Sequence, residues 1–223
     1  MRWPHFFCAG SMLKARYAIM IDGGFATKIL NSRKRAAGDA TFTSADDIES
    51  ECARLQNLAW VADYELLRIY YYDAPPLSGN VARPVTGANW ALGASERHRH
   101  AQSLYDKLKL KPNMALRLGE TYLGENRWIL KGDARKSLVK SGRTLEDGDF
   151  ELNVEQKGVD MRIGMDIARL ALREMVRCII VVTADRDFIP AFKFARREGV
   201  RIVLDPLGAN APVELKEHAD IVV

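Results

Sequence analysis

Two short apolar runs constrain the architecture more tightly than anything else in this chain. Cys178-Ile179-Ile180-Val181-Val182 is continuous and rich in β-branched residues, so it reads as a short buried strand. Thr183-Ala184-Asp185-Arg186-Asp187 follows it at once. Tyr17-Ala18-Ile19-Met20-Ile21 has the same form and ends in Asp22, ahead of Gly23-Gly24. In open parallel sheets ligands collect at the carboxyl ends of strands, where acids do little for stability and are well placed for chemistry.

A third acid joins them. Asp160 follows Gly158 and opens a segment in which Ile163, Ile167, Leu170 and Ala171 recur at helical spacing, which puts it in or near a first helical turn. If the strands are neighbours, Asp22, Asp160, Asp185 and Asp187 converge on one cleft. Carboxylates gathered so closely repel one another and raise their own pKa values unless cations occupy the site. An all-oxygen donor set with few His or Cys residues suits Mg2+ or Mn2+. Taken singly, Asp22 or Asp187 reads as a loop or helix-cap residue. Asp73 also ends an apolar run, but Ala74-Pro75-Pro76 makes it the polar opener of a rigid turn and a weaker candidate. Asp166 lies on a polar helix face with Arg162, Arg169 and Arg173 and reads as an ion-pair partner.

Strand-Ile-Asp-Gly-Gly, then Lys157-Gly158-Val159-Asp160, then Val-Thr-Ala-Asp-Arg-Asp-Phe-Ile-Pro resembles the NYN domain of the PIN-like nuclease superfamily. The resemblance covers residues 17–30, 66–74 and 156–223. It implies a Rossmann-like sheet and a metal-dependent ribonuclease site, with Asp22, Asp160, Asp185 and Asp187 as the catalytic, metal-binding acids. One departure follows Asp22: many relatives carry Asn where this chain has Gly24-Phe25.

The rest of the chain fits a single α/β domain, a Rossmann-like three-layer sandwich with a mainly parallel central sheet of PIN-like kind. Apolar residues at 48% and charged ones at 28% of the 223 residues exclude wholesale disorder. The expected order is a strand to Asp22, a short helix at 25–32, a long helix at 44–62, a strand at 66–72 and a loop at 77–94. A helix at 95–109 comes next. Strands at 114–123 and 127–130 are expected to form a hairpin through Gly124-Glu125-Asn126, and a strand at 150–154 precedes the Asp160 helix. After the Asp185 strand come a helix at 188–198, a strand at 200–204, a short helix at 213–217 and a last strand at 219–223. Residues 1–16 read as an N-terminal tail, with a faint signal-peptide look broken by Pro4 and His5, and 17–223 as the domain.

A net charge of +4 favours a polyanion only weakly. More informative are the local basic runs Arg33-Lys34-Arg35, Arg97-His98-Arg99-His100 and 131–143. Residues 131–149 read as a basic insertion beside the cleft in which Arg135, Lys136 and Arg143 gather RNA, or as a loop with no such role. Lys157 is a further candidate for a phosphate contact. His98 and His100 do not share a helix face and make a poor metal pair. Trp90 is either core packing or a platform for a base. Cys8, Cys52 and Cys178 are far apart and form no paired motif, which points to a reducing cytoplasm and away from zinc. No apolar run is long enough to span a bilayer. The oligomeric state is left open, a homodimer included.

The expected activity is hydrolysis of phosphodiester bonds in single-stranded or looped RNA by a Mg2+- or Mn2+-dependent endoribonuclease. One rival is an RNA-binding or regulatory adaptor of the same fold without turnover. A haloacid-dehalogenase-type phosphatase ranks lower, because it needs an Asp two residues after its nucleophile and that position is Gly24.

Overall fold

The computed structural model describes residues 14–223; Cys8 and most of the expected tail lie outside the described residues. In chain order the first elements are β1 (Ala15–Asp22), α1 (Gly23–Ala36), α2 (Ala45–Gln56) and β2 (Tyr64–Asp73). A small hairpin, β3 (Asn80–Ala82) and β4 (Asn89–Ala91), precedes α3 (Glu96–Leu108) and β5 (Met114–Leu118). Then come β6 (Glu120–Leu130), α4 (Gly132–Ser141), β7 (Phe150–Lys157) and α5 (Val159–Leu172). The chain closes with β8 (Cys178–Val182), α6 (Ile189–Arg197), β9 (Arg201–Asp205), α7 (Val213–Lys216) and β10 (Ile221–Val222).

Six strands form one sheet in the order β10-β9-β8-β1-β2-β5, and every neighbouring pair is parallel. Alternation along β1 explains the layers. Tyr17, Ile19 and Ile21 face the core under α1, α2 and α3, while Ala18 and Met20 face the one under α5 and α6. Each fully buried Ile or Met here contributes roughly 1.5–3 kcal/mol. From β1 the chain steps outward to β2 and β5. It then returns through α5 to β8 on the other side of β1, so the winding reverses between β1 and β8. Crevices at such reversals are where open α/β sheets bind ligands.

Helix starts follow their caps. The Asp22 carboxylate accepts from Phe25 N–H at 3.1 Å, and Ser44 and Asp47 form a capping box on α2. α1 runs longer than expected from 25–32, because its last turn holds Arg33, Lys34 and Arg35 against the helix carbonyl end. α2 is shorter than expected from 44–62: it stops at Asn57, and a separate 3-10 turn, Ala59–Asp63, leads into β2.

Three expectations need correction. Residues 77–94 hold the β3–β4 hairpin rather than an unstructured loop. Residues 114–130 do not fold back on themselves: β5 stays in the main sheet, and the chain leaves it at Gly119, whose N–H still bonds Asp73 O at 2.8 Å. β6 then pairs antiparallel with β7, and the Gly124-Glu125-Asn126 stretch lies in an interruption of that pairing between Leu123 and Trp128. Residues 132–141 form α4, a helix carried at the end of the two-stranded arm, ended by Gly142 in the left-handed region at φ 64°. Leu130, Phe150 and Leu152 of the arm belong to neither main core.

Candidate metal-binding cleft

The crevice between β1, β2 and β8 collects carboxylates from four places. Ile21 is paired with Val182 and Asp22 with Tyr72, so Asp22, Thr183 and Asp73 stand at neighbouring carboxyl ends. Asp22 sits on the floor. One of its oxygens caps α1 and the other accepts from Thr183 Oγ1 at 3.3 Å. Thr183 Oγ1 in turn accepts from Asp185 N–H at 3.2 Å, and the Asp185 carboxylate accepts from Asp187 N–H at 2.9 Å. Asp160 lies in the first turn of α5, just after Gly158, which has φ 80°.

The electrostatics tie these groups together. Burial above all, with smaller pushes from Asp160 and Asp73 and against the lowering pull of Phe25 N–H and Thr183, raises the Asp22 carboxyl to about 6. Asp160 is also raised, first by burial and then by the charges of Asp185 and Asp187. Asp73 is raised by burial against the hydrogen bonds of Ala74, Tyr105 and Tyr71. Among the described residues no Lys, Arg or His forms an ion pair with Asp22, Asp160, Asp185 or Asp187. Nor do any three His, Cys, Asp or Glu side chains there stand close enough together to hold a metal ion between them.

The donor set nonetheless fits a hard divalent ion. It is all oxygen and negatively charged without a countercharge. Mg2+ keeps several waters and needs only one or two protein carboxylates, so a closed cage is not required.

Two close approaches hold the walls. A Cβ on Gly23 would meet Tyr71 Cζ and Tyr72 O at 2.6 Å, so glycine lets α1 start hard against β2. Gly24 is different: an added Cβ would meet only Asp22 Oδ1, at 3.5 Å, so a larger side chain has room beside the acid.

The basic candidates lie in varied surroundings. Lys157 Nζ is 3.3 Å from Glu155 and 5.7 Å from the Tyr122 ring centre, engaged with the arm. Arg143 is bonded to Asp149 at 2.8 Å through one nitrogen and by a second contact through the other. Arg135 and Lys136 are exposed on α4. Arg33 pairs with Glu51 at 3.0 Å and Lys34 with Asp47 at 2.7 Å, so that run braces α1 against α2. Trp90 stacks on Trp128 with ring centres 6.0 Å apart, and the Arg83 guanidinium lies 4.2 Å from its ring centre. It fastens the hairpin to the arm and offers no free platform for a base. Asp166 accepts from Tyr72 Oη at 2.9 Å and pairs with Arg117 at 3.3 Å: it is an ion-pair partner, but of an arginine on β5 and, among the described residues, of none on its own helix face.

Sequence reasoning gave Thr183 no part and ranked Asp73 low. A hydroxyl residue directly between a buried strand and two acids is the signal for the first. For the second it was the place of Asp73 at the end of the strand next to β1.

The family model described as NYN domain matches residues 121–222, a span that holds Asp160, Asp185 and Asp187 but not Asp22. No curated protein matches the chain. A crystal structure of a protein of unknown function from Vibrio parahaemolyticus is similar in fold at 13% identity, covering 96% of this chain and 94% of that one, with a TM-score of 0.50. A nicotinamidase from Staphylococcus aureus, at 15% identity over 92% of this chain and 90% of its own, reaches a TM-score of only 0.31 and carries no weight. Among the described residues no helix is long and apolar enough to cross a membrane. The match over residues 121–222, with a six-strand parallel sheet flanked by helices, is consistent with an NYN domain protein of PIN-like fold.

Proposed function

We propose that the protein is a metal-dependent endoribonuclease acting on single-stranded or looped RNA, with Asp22, Asp160, Asp185 and Asp187 holding Mg2+ or Mn2+. The observation that carries the reading is the uncompensated negative charge at the reversal of the winding, where Asp22 is pushed up to about 6 and no cation is paired with any of the four acids among the described residues. When bound, such an ion offsets charge on the scissile phosphate and makes water a stronger nucleophile.

The chain's own residues fix the geometry. Thr183 bridges Asp22 and Asp185, and the first turn of α1 pins the other Asp22 oxygen. Asp160 and Asp187 stand exposed at the rim, where a flexible RNA backbone can reach them. Asp73, steadied by Tyr71 and Ala74 N–H, adds negative potential from the β2 side. PIN-like relatives are nucleases, which makes a phosphodiester the expected bond.

The test is cleavage of end-labelled single-stranded RNA with Mg2+ or Mn2+, by the wild type and by Asp160→Asn. Cleavage that stops with a chelator and in the variant supports the reading. Cleavage that survives either change rejects it. RNA binding without cleavage by the wild type would favour the adaptor instead.

A further inference from the structure

The pole of the sheet opposite the acids carries the reverse charge. At the amino ends of β9 and β10 lies an open groove of about 870 Å3, lined in part by Lys193, Arg196, Arg197, Arg201 and His218. Its one acid, Asp220, is already engaged by Arg196 Nε at 2.9 Å and Ile202 N–H at 2.8 Å. Glu198 lies nearby and is exposed, but it pairs with none of these cations. Among the described residues Lys193, Arg197, Arg201 and His218 form no ion pair.

The groove is connected to the cleft. Arg186 stands between Asp185 and Asp187, and Arg186, Pro190, Lys193 and Arg197 are all exposed at successive spacings of four, three and four along α6 and the turn before it. Pro190, Lys193 and Arg197, so spaced within α6, share one face, and Arg186 stands in the 3-10 turn just before it, so three exposed cations mark the roughly 16 Å between the acids and the groove. Arginines in a last helical turn also offset the helix carbonyl end. That accounts for Arg196 and Arg197, but not for Lys193 in mid-helix or Arg201 on the next strand.

We propose that this groove anchors the phosphate backbone of the RNA strand whose other part lies at the aspartates, with Arg186 and Lys193 guiding it between. Guanidinium groups pair well with phosphate oxygens, and an open polar channel suits a chain better than a small molecule. The identity of the polyanion rests on the ribonuclease reading; the binding does not require turnover.

The test uses Asp160→Asn protein in chelator, where nothing is cut, and labelled single-stranded RNAs of about 30 and about 4 nucleotides. Adding Arg197→Glu and Arg201→Glu weakens the longer RNA about tenfold or more and flattens its salt dependence by one to two phosphate contacts, roughly 0.7 of slope each. The shorter RNA, repelled by the metal-free acids and left with only the groove to bind, weakens by at least as large a factor. Unchanged affinity for either length, or an equal loss from Lys107→Glu with Lys109→Glu at the end of α3, overturns the proposal. So does preferential groove-dependent binding to phosphatidylserine vesicles. Arg197→Gln with Arg201→Gln gives the same reading if charge reversal lowers Tm. Absence of cleavage by the wild type would sink the nuclease reading while leaving the binding result to stand or fall separately.

Discussion

Asp22 and Asp205 each end a buried parallel strand, two places apart in the same sheet, yet they stand in opposite electrical conditions. Asp205 is 1% exposed and is bonded to Arg54, with Leu207 N–H at 2.8 Å completing its shell. Asp22 has two neutral donors, two acidic neighbours and no cation. A strand-end aspartate is therefore not a site by position alone. What separates a strut from a candidate ligand is whether the fold supplies a countercharge or leaves it to be brought from outside.

The sharpest way to break this contrast is the same substitution at both strand ends. Asp22→Asn should lower RNA cleavage by on the order of a thousandfold, while raising stability at pH 7.5 without divalent ions by up to about 3 kcal/mol, since Asn still caps α1. Asp205→Asn should cost about 1–2 kcal/mol, limited because Arg54 is partly exposed and can rehydrate. Denaturant melts of the two variants beside the wild type check the opposite signs; equal signs would end the comparison.

Next in size is the pH profile. A carboxyl raised from 3.8 to about 6 by folding holds its proton longer in the native than in the unfolded chain. Its contribution is therefore most favourable below about pH 4 and is lost as pH rises to about 6, by about 3 kcal/mol in all. In chelator, the difference in stability between wild type and Asp22→Asn should open across that window and be flat above it. A smaller effect sharpens the same point: Mg2+ or Mn2+ at ten times its Kd should stabilise the wild type at pH 7.5 by about 1.4 kcal/mol, a few degrees in Tm. Asp160→Asn should show much less of this shift.

Much of the contrast could be read from the chain, because β1 and β8 are continuous apolar runs with acids directly behind them. Helical spacing after Gly158 likewise placed Asp160 at a helix start. The partner of Asp205 could not be read, since Arg54 lies on a helix far away in sequence and only packing brings it there. Residues 114–130 misled for a related reason. Gly124-Glu125-Asn126 has hairpin composition, but β6 found its partner in β7, beyond α4, and the same residues became an irregularity in a longer pairing. Thr183 stayed unnoticed because its role is visible only once β1 and β8 are side by side.

The smallest predicted effect concerns Gly24. Since open space surrounds it, Gly24→Asn should change stability by no more than about 1 kcal/mol, and it would set an amide beside Asp22. Single-turnover cleavage should be equal or faster; a large loss would mean that the space is needed by substrate.

Gly119 has a wider bearing. A Cβ there would lie 2.7 Å from Lys157 O and 2.9 Å from a Val159 methyl, inside the turn that delivers Asp160 to the cleft. The place where the arm departs from the sheet is thus also the seat on which α5 begins. A methyl group at this junction would displace Asp160 while every carboxylate remained intact, so a change that abolishes the proposed activity need not be sought among the acids themselves.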